Sequence, residues 1–121
     1  PVPVVAALNG HAFGGGCEVA MACDFRLAAD DVKLAFNQVD LAIMPAWGGI
    51  ERLQAVVGRG RALYLLTTGL PIDAPTAAAW GLVETVVRFN RTLRARGVKV
   101  AAYAAPIYGD GRRGAMLVLV F

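Results

Sequence analysis

An α/β architecture follows from three features of this 121-residue chain. Apolar runs of strand length alternate with segments patterned for helices, glycines punctuate the junctions, and three consecutive glycines join the first strand to the first helix. Val2 to Leu8 is a short apolar run closed by Asn9-Gly10, the mark of a buried strand. Gly14-Gly15-Gly16 then leads into Cys17 to Ala22, a segment suited to a short helix. Asp24 to Ala28 returns to strand character, Ala29-Asp30-Asp31 turns, and Lys33 to Phe36 supplies another short strand.

Pro45 and the pair Gly48-Gly49 mark the next junction. Ile50, Leu53, Val56 and Val57 share one helix face, and Gly58 stands where a helix ends. A second helix takes Arg61 to Thr68, with Ala62, Leu65 and Leu66 inward and Gly69 behind it. Pro71 to Ala74 turns into a helix over 74–80, with Asp73 or Ala74 near its N-cap; Gly81 stops it, and Leu82 to Val87 forms a strand. Phe89 and Leu93 beside Arg88, Arg91 and Arg94 then predict an exposed basic helix. Val98 to Tyr103 and Ala115 to Phe121 read as strands around Gly109-Asp110-Gly111.

Composition narrows the classes. Hydrophobic residues make up 57% and charged residues 17%, and mean hydropathy is +0.54, which excludes an intrinsically disordered chain. No stretch approaches the ~18 uninterrupted apolar residues of a membrane-spanning helix, so no membrane partner is expected. The net charge of +3 hides an asymmetry: residues 1–87 sum to −3 and residues 88–121 to +6, a composition boundary. Cys17 and Cys23 form no CxxC motif and no Cys/His cluster. They read as small core residues, so neither a metal site nor a disulfide is expected, and a reducing, cytoplasmic setting fits.

The glycine loop is where chemistry would sit. Residues without side chains let a ligand approach backbone N–H groups at the positive end of a helix. A phosphate loop is not supported: no lysine follows the glycines, and His11 to Gly16 does not form GxGxxG. A developing oxyanion is the other ligand such a loop suits, with Glu18 in the first helical turn as acid or base. The simpler reading of Glu18 is that it complements the helix dipole, worth ~0.3–1 kcal/mol. His11 has no companion ligands in sequence and reads as packing or a backbone hydrogen bond. Trp47 reads first as a core residue, with ligand contact as the rarer role. The arginines of the tail read as a solvated face, not a nucleic-acid platform, because Phe89 alone interrupts them.

The run Pro3 to Asp24, containing Leu8-Asn9-Gly10-His11-Ala12-Phe13-Gly14-Gly15-Gly16-Cys17-Glu18, resembles the signature of the crotonase superfamily, the enoyl-CoA hydratases and isomerases. The resemblance continues through Ile43 to Leu53, Val57-Gly58-Arg59, Leu66 to Gly69, Ile72-Asp73-Ala74 and Gly81-Leu82-Val83. It covers residues 3–87 in order. It implies a ClpP/crotonase ββα core over 1–87, incomplete at its N-terminus, with 88–121 a basic tail outside the family pattern. A truncated or spliced frame is the expectation attached to that tail.

The resemblance also implies roles. Gly15 would donate one backbone N–H of the oxyanion hole that stabilises a CoA-thioester enolate, the other donor coming from a preceding segment. Glu18 matches one of two catalytic glutamates. Ungapped counting puts Gln38 at the second, with Asp40 two residues too late. Gly14, Trp47 and Gly48 would line the substrate site. A glutamine cannot exchange the proton, which turns attention from hydration to chemistry needing mainly the enolate hole, such as decarboxylation of a malonyl-type CoA ester. Trp47 in place of the usual small residue points the same way. The expected substrate is an acyl-CoA thioester of fatty-acid or related metabolism. No cofactor is implied beyond the coenzyme A it carries. A complete protein would be a trimer or hexamer, and an inactive fragment associating with a full-length homologue is the alternative.

Overall fold

A computed structural model describes residues 2–88 and the strand at 117–120. Its elements run β1 (Val4–Leu8), β2 (Ala12–Phe13), α1 (Gly15–Ala22), β3 (Phe25–Ala29), β4 (Lys33–Ala35) and a 3-10 helix (Asn37–Leu41). They continue with α2 (Gly49–Val57), α3 (Arg59–Thr68), β5 (Ile72–Asp73), α4 (Ala74–Ala79), β6 (Thr85–Val87) and β7 (Leu117–Val120).

The larger sheet is all parallel, in the order β6-β3-β1-β7. Parallel neighbours need a crossover, and α1 supplies the one between β1 and β3, whose register sets Val5 opposite Phe25 and Leu8 opposite Ala28. Such strands read as continuous apolar runs because both faces are covered. In β1, Val5, Ala6, Ala7 and Leu8 are all buried. The core joins Ala6 and Leu8 to Met21, Ala28, Phe36, Leu53, Leu65 and Leu82.

A smaller sheet pairs β2 parallel to β4 and β4 antiparallel to β5. It carries the glycine loop, because the Gly14 amide donates to the Ala35 carbonyl at 2.9 Å. In β3, buried Arg26 donates to the carbonyls of Leu82 and Cys23 at 2.8 and 2.9 Å and forms an ion pair with Glu84. One side chain thus ties β3 to the end of α1 and to the approach of β6.

The expected elements recur with local differences. Helix α1 starts at Gly15, two residues earlier than its side chains indicate, because the Gly14 carbonyl accepts the amides of Cys17 and Glu18. The strand expected over 82–87 is confined to Thr85–Val87, because the amides of Leu82 and Val83 donate to the Ala77 carbonyl and leave the ladder. Helix α3 begins at Arg59 with Gly58 before it, and Asp73 caps α4 by accepting the Thr76 amide at 2.8 Å. The strand expected at the chain end is present at 117–120, beside β1. The helix expected at 88–94 and the strand at 98–103 lie outside the described residues, Arg88 apart.

Candidate active site

The site forms where α1, the 3-10 helix and the bend before α2 converge. Gly14 has φ +54°, a conformation that strains an L side chain, and it aims the chain into α1. Helix geometry leaves the amides of the first positions, Gly15 and Gly16, without intrahelical acceptors. The Gly15 amide is therefore a donor at the positive end of α1.

Glu18 is one turn further and only 4% exposed. Its Oε1 accepts two backbone amides, from Trp47 at 2.8 Å and Gly49 at 3.2 Å. Its Oε2 accepts the Gln38 side-chain amide at 3.1 Å. A carboxylate oxygen has two acceptor positions, so Oε1 is fully used and Oε2 keeps one. A proton that Glu18 exchanges would pass through Oε2.

Gln38 is buried as well, and its Oε1 has no hydrogen-bond partner among the described residues. Its orientation follows from Glu18: turning the amide over would set oxygen against oxygen. With Nε2 committed to the carboxylate, Oε1 is left as an acceptor in a buried place, which ordinarily calls for a water or ligand donor. Asp40, two residues on, is exposed and lies beside Gly69, away from Glu18.

Gly15, Glu18, Gln38, Ile43, Met44, Ala46 and Trp47 line a cavity of about 220 Å³. Trp47 is 66% exposed, so the core placement expected first does not occur. Its ring covers Gly15 instead, so closely that a Cβ there would fall 2.7 Å from Cζ3. Gly14 and Gly48 are not in the lining and shape backbone instead; Gly48 has φ +75° at the bend into α2. Sequence reasoning passed over Gly49, yet a Cβ there would fall 2.6 Å from Glu18 Cγ, so only glycine lets α2 begin against the carboxylate. Its signal in the sequence is the doubled glycine after Pro45, within the family-like run Ile43 to Leu53. Ile43, Met44 and Ala46 were likewise not assigned a lining role.

The remaining candidates are structural. His11 Nδ1 accepts the Lys33 amide at 3.0 Å, and its ring stacks on Phe13. Cys17 donates to the Ala12 carbonyl at 2.9 Å, and burial pushes its thiol up to about 12. Cys23 is also a free thiol, and burial raises its pKa. Among the described residues no group of three or more His, Cys, Asp or Glu side chains could hold a metal, and no helix is long and apolar enough to cross a membrane.

A sequence profile of the family described as Enoyl-CoA hydratase/isomerase matches residues 1–105. A crotonyl-CoA hydratase of Syntrophomonas wolfei is 51% identical over 86 residues, which are 71% of this chain and 33% of that protein. A crystal structure of an enoyl-CoA hydratase from Bacillus anthracis superposes with a TM-score of 0.71 at 46% identity, over 78% of this chain and 36% of that one. A Thermobifida fusca protein solved with acetoacetyl-CoA gives 0.69 at 36% identity, over 77% and 36%. The chain thus spans about a third of the length of these relatives. Over that span the sequence and the parallel sheet with its glycine loop agree, and the chain belongs to the enoyl-CoA hydratase/isomerase family, with the crotonase fold.

Proposed function

We propose that this chain carries half of an acyl-CoA thioester site, in which the Gly15 amide polarises the thioester carbonyl and Glu18 moves the proton. The observation that carries this reading is a buried carboxylate with one oxygen fully engaged and one acceptor position left on the other, on a side chain that lines a cavity together with the first residue of α1. Negative charge developing on the carbonyl oxygen of an enolate is stabilised by a preorganised N–H, worth ~3–4 kcal/mol per donor. Glu18 lines the same cavity, and its Oε2 has the acceptor capacity to take or return a proton at the carbon beside that carbonyl. The crotonyl-CoA hydratase relative and the acetoacetyl-CoA complex of the T. fusca relative support a CoA ester as substrate. The coenzyme A belongs to the substrate, and the reaction as read needs no further cofactor.

Gln38 favours a second reading within the same chemistry. It brings no second carboxylate to Glu18, but an acceptor oxygen that can seat a water or a substrate donor. Decarboxylation of a malonyl-type ester needs the enolate hole and a single proton donor. In that reaction the carboxylate leaves as carbon dioxide and the electron pair forms the enolate; Glu18, protonated on Oε2 by a proton from water, gives that proton to carbon and is reprotonated from water for the next turnover.

The test is to incubate the purified chain with crotonyl-CoA, following loss of the enoyl thioester absorbance, and with malonyl-CoA, following carbon dioxide release. Turnover of either ester, abolished in Glu18→Gln, is expected, and the ester consumed decides between the two readings. No turnover of either would exclude catalysis by this chain alone. It would favour a chain that acts by association, for which exposed Leu41, Ile43, Met44 and Leu70 provide an apolar surface. Sedimentation of the same sample reads self-association directly, and the trimer or hexamer expected of the family is part of the proposal.

A further inference from the structure

The two hydrogen bonds to Glu18 Oε1 come from one short stretch of backbone, and something must fix its shape. Trp47 offers its amide to the carboxylate on one side, while its carbonyl accepts Arg52 Nη1 at 2.6 Å on the other. Gly48 follows at φ +75°, and the guanidinium occupies the place a Cβ on Gly48 would take, with Nη1 2.6 Å from that position. Gly49 then gives the second amide to Glu18. The bend is held between the guanidinium and the carboxylate.

Arg52 stands in this place against local preference. It is the fourth residue of α2, where the helix dipole disfavours a cation. No carboxylate forms an ion pair with it among the described residues. Its hydrogen bond to Trp47 is the described interaction that accounts for its position. The same bend sets the indole, which covers Gly15, so both halves of the site depend on its geometry.

We propose that Arg52 is a positioning residue: it fixes the Trp47-Gly48 bend, and through it both the Glu18 carboxylate and the indole over Gly15. The proposal rests on the reading of Glu18 given above. Arg52 touches no reacting atom, and its influence runs through one carbonyl. A planar, forked donor suits it better than an ammonium, which offers a point charge on a flexible stem.

Amide hydrogen exchange followed by NMR on the intact chain tests this without any substrate. In Arg52→Met, protection of the Trp47 and Gly49 amides is expected to fall about tenfold, the scale of one lost hydrogen bond, with the β1–β3 ladder unchanged. Arg52→Lys should restore part of that protection. Unchanged protection at both amides in Arg52→Met would overturn the proposal. Equal loss across the ladder would overturn it too, in favour of a general structural role.

In the active protein, kcat for the preferred CoA ester should fall about tenfold in Arg52→Met with KM within about twofold, the mark of lost transition-state alignment. Loss of amide protection with kcat intact would overturn the catalytic link. An inactive parent chain would exclude catalysis by this chain alone, while the exchange comparison would still decide whether Arg52 sets the bend.

Discussion

Among the described residues a charged side chain is buried at two places, and the two are treated in opposite ways. Arg26, 5% exposed, spends its donors on two backbone carbonyls and the Glu84 carboxylate, and Glu84 also accepts the Arg26 amide at 2.5 Å. Glu18, 4% exposed, accepts three N–H groups but keeps an acceptor position on Oε2 beside a cavity, and its partner Gln38 keeps an entire oxygen. A buried charge with each of its three nitrogens engaged by the fold holds the fold together. One that is fixed in place yet has capacity left can act on something that enters.

Substitutions at the two centres should therefore separate activity from stability. The largest effect expected is on turnover: Glu18→Gln keeps volume but removes the exchangeable proton, and kcat should fall at least ~100-fold. Its melting temperature should stay within a few degrees of the parent, read by circular dichroism. A Glu18→Gln chain that lost stability instead would make Glu18 a second Arg26.

Arg26→Met should do the reverse. It leaves the carbonyls of Leu82 and Cys23 without the guanidinium and Glu84 with only the residue 26 backbone amide, and unfolding in urea should show a loss of about 3 kcal/mol. That value is the lower end for a buried pair because the Glu84 side chain is 36% exposed. In the fraction that remains folded, kcat should be close to that of the parent.

Cys17 sharpens the contrast, being next to Glu18 in sequence but facing the core. Its thiol stays protonated in the fold to about 12, while in the unfolded chain it ionises near its ordinary 9.0. Above pH 9 the unfolded state therefore holds fewer protons than the native state, and stability falls as pH rises. The slope from this one group is about 1.4 kcal/mol per pH unit between pH 9 and 12. Cys17→Ala should remove it, measured as melting temperature against pH in both proteins.

Gln38→Leu should have the smallest effect, about tenfold in kcat. It removes one bond to Glu18 and an acceptor that has no partner among the described residues, so stability should be unchanged or slightly raised. A large loss of stability would show that the Gln38 oxygen already serves the fold.

Much of this was legible in sequence, and the legible part has a common cause. Strand β1, the glycine loop, the helices and their stops at Gly58, Gly69 and Gly81 all rest on residues whose local chemistry permits few alternatives. Glu18 and Gln38 could be named because the glycine loop and the ordered family motifs fix where to count from. Asp73 could be named as a cap for the same local reason. The 3-10 helix at Asn37–Leu41 and the two-residue strand β2 were not legible, being too short to show a period.

The sequence by itself determined the α/β alternation, the family and the positions at which chemistry was to be sought, because periodicity, glycines and motif spacing act over a few residues. Only the tertiary structure decided how those positions are used. It brought Gln38 to Glu18 and left Asp40 outside, laid the indole of Trp47 on Gly15 and not in the core, and turned two amides of the α2 bend onto one carboxylate oxygen. It also paired Arg26 with Glu84 across 58 positions. Hydrogen bonds form between groups that packing brings within about 3 Å, and no local pattern records which distant groups those will be.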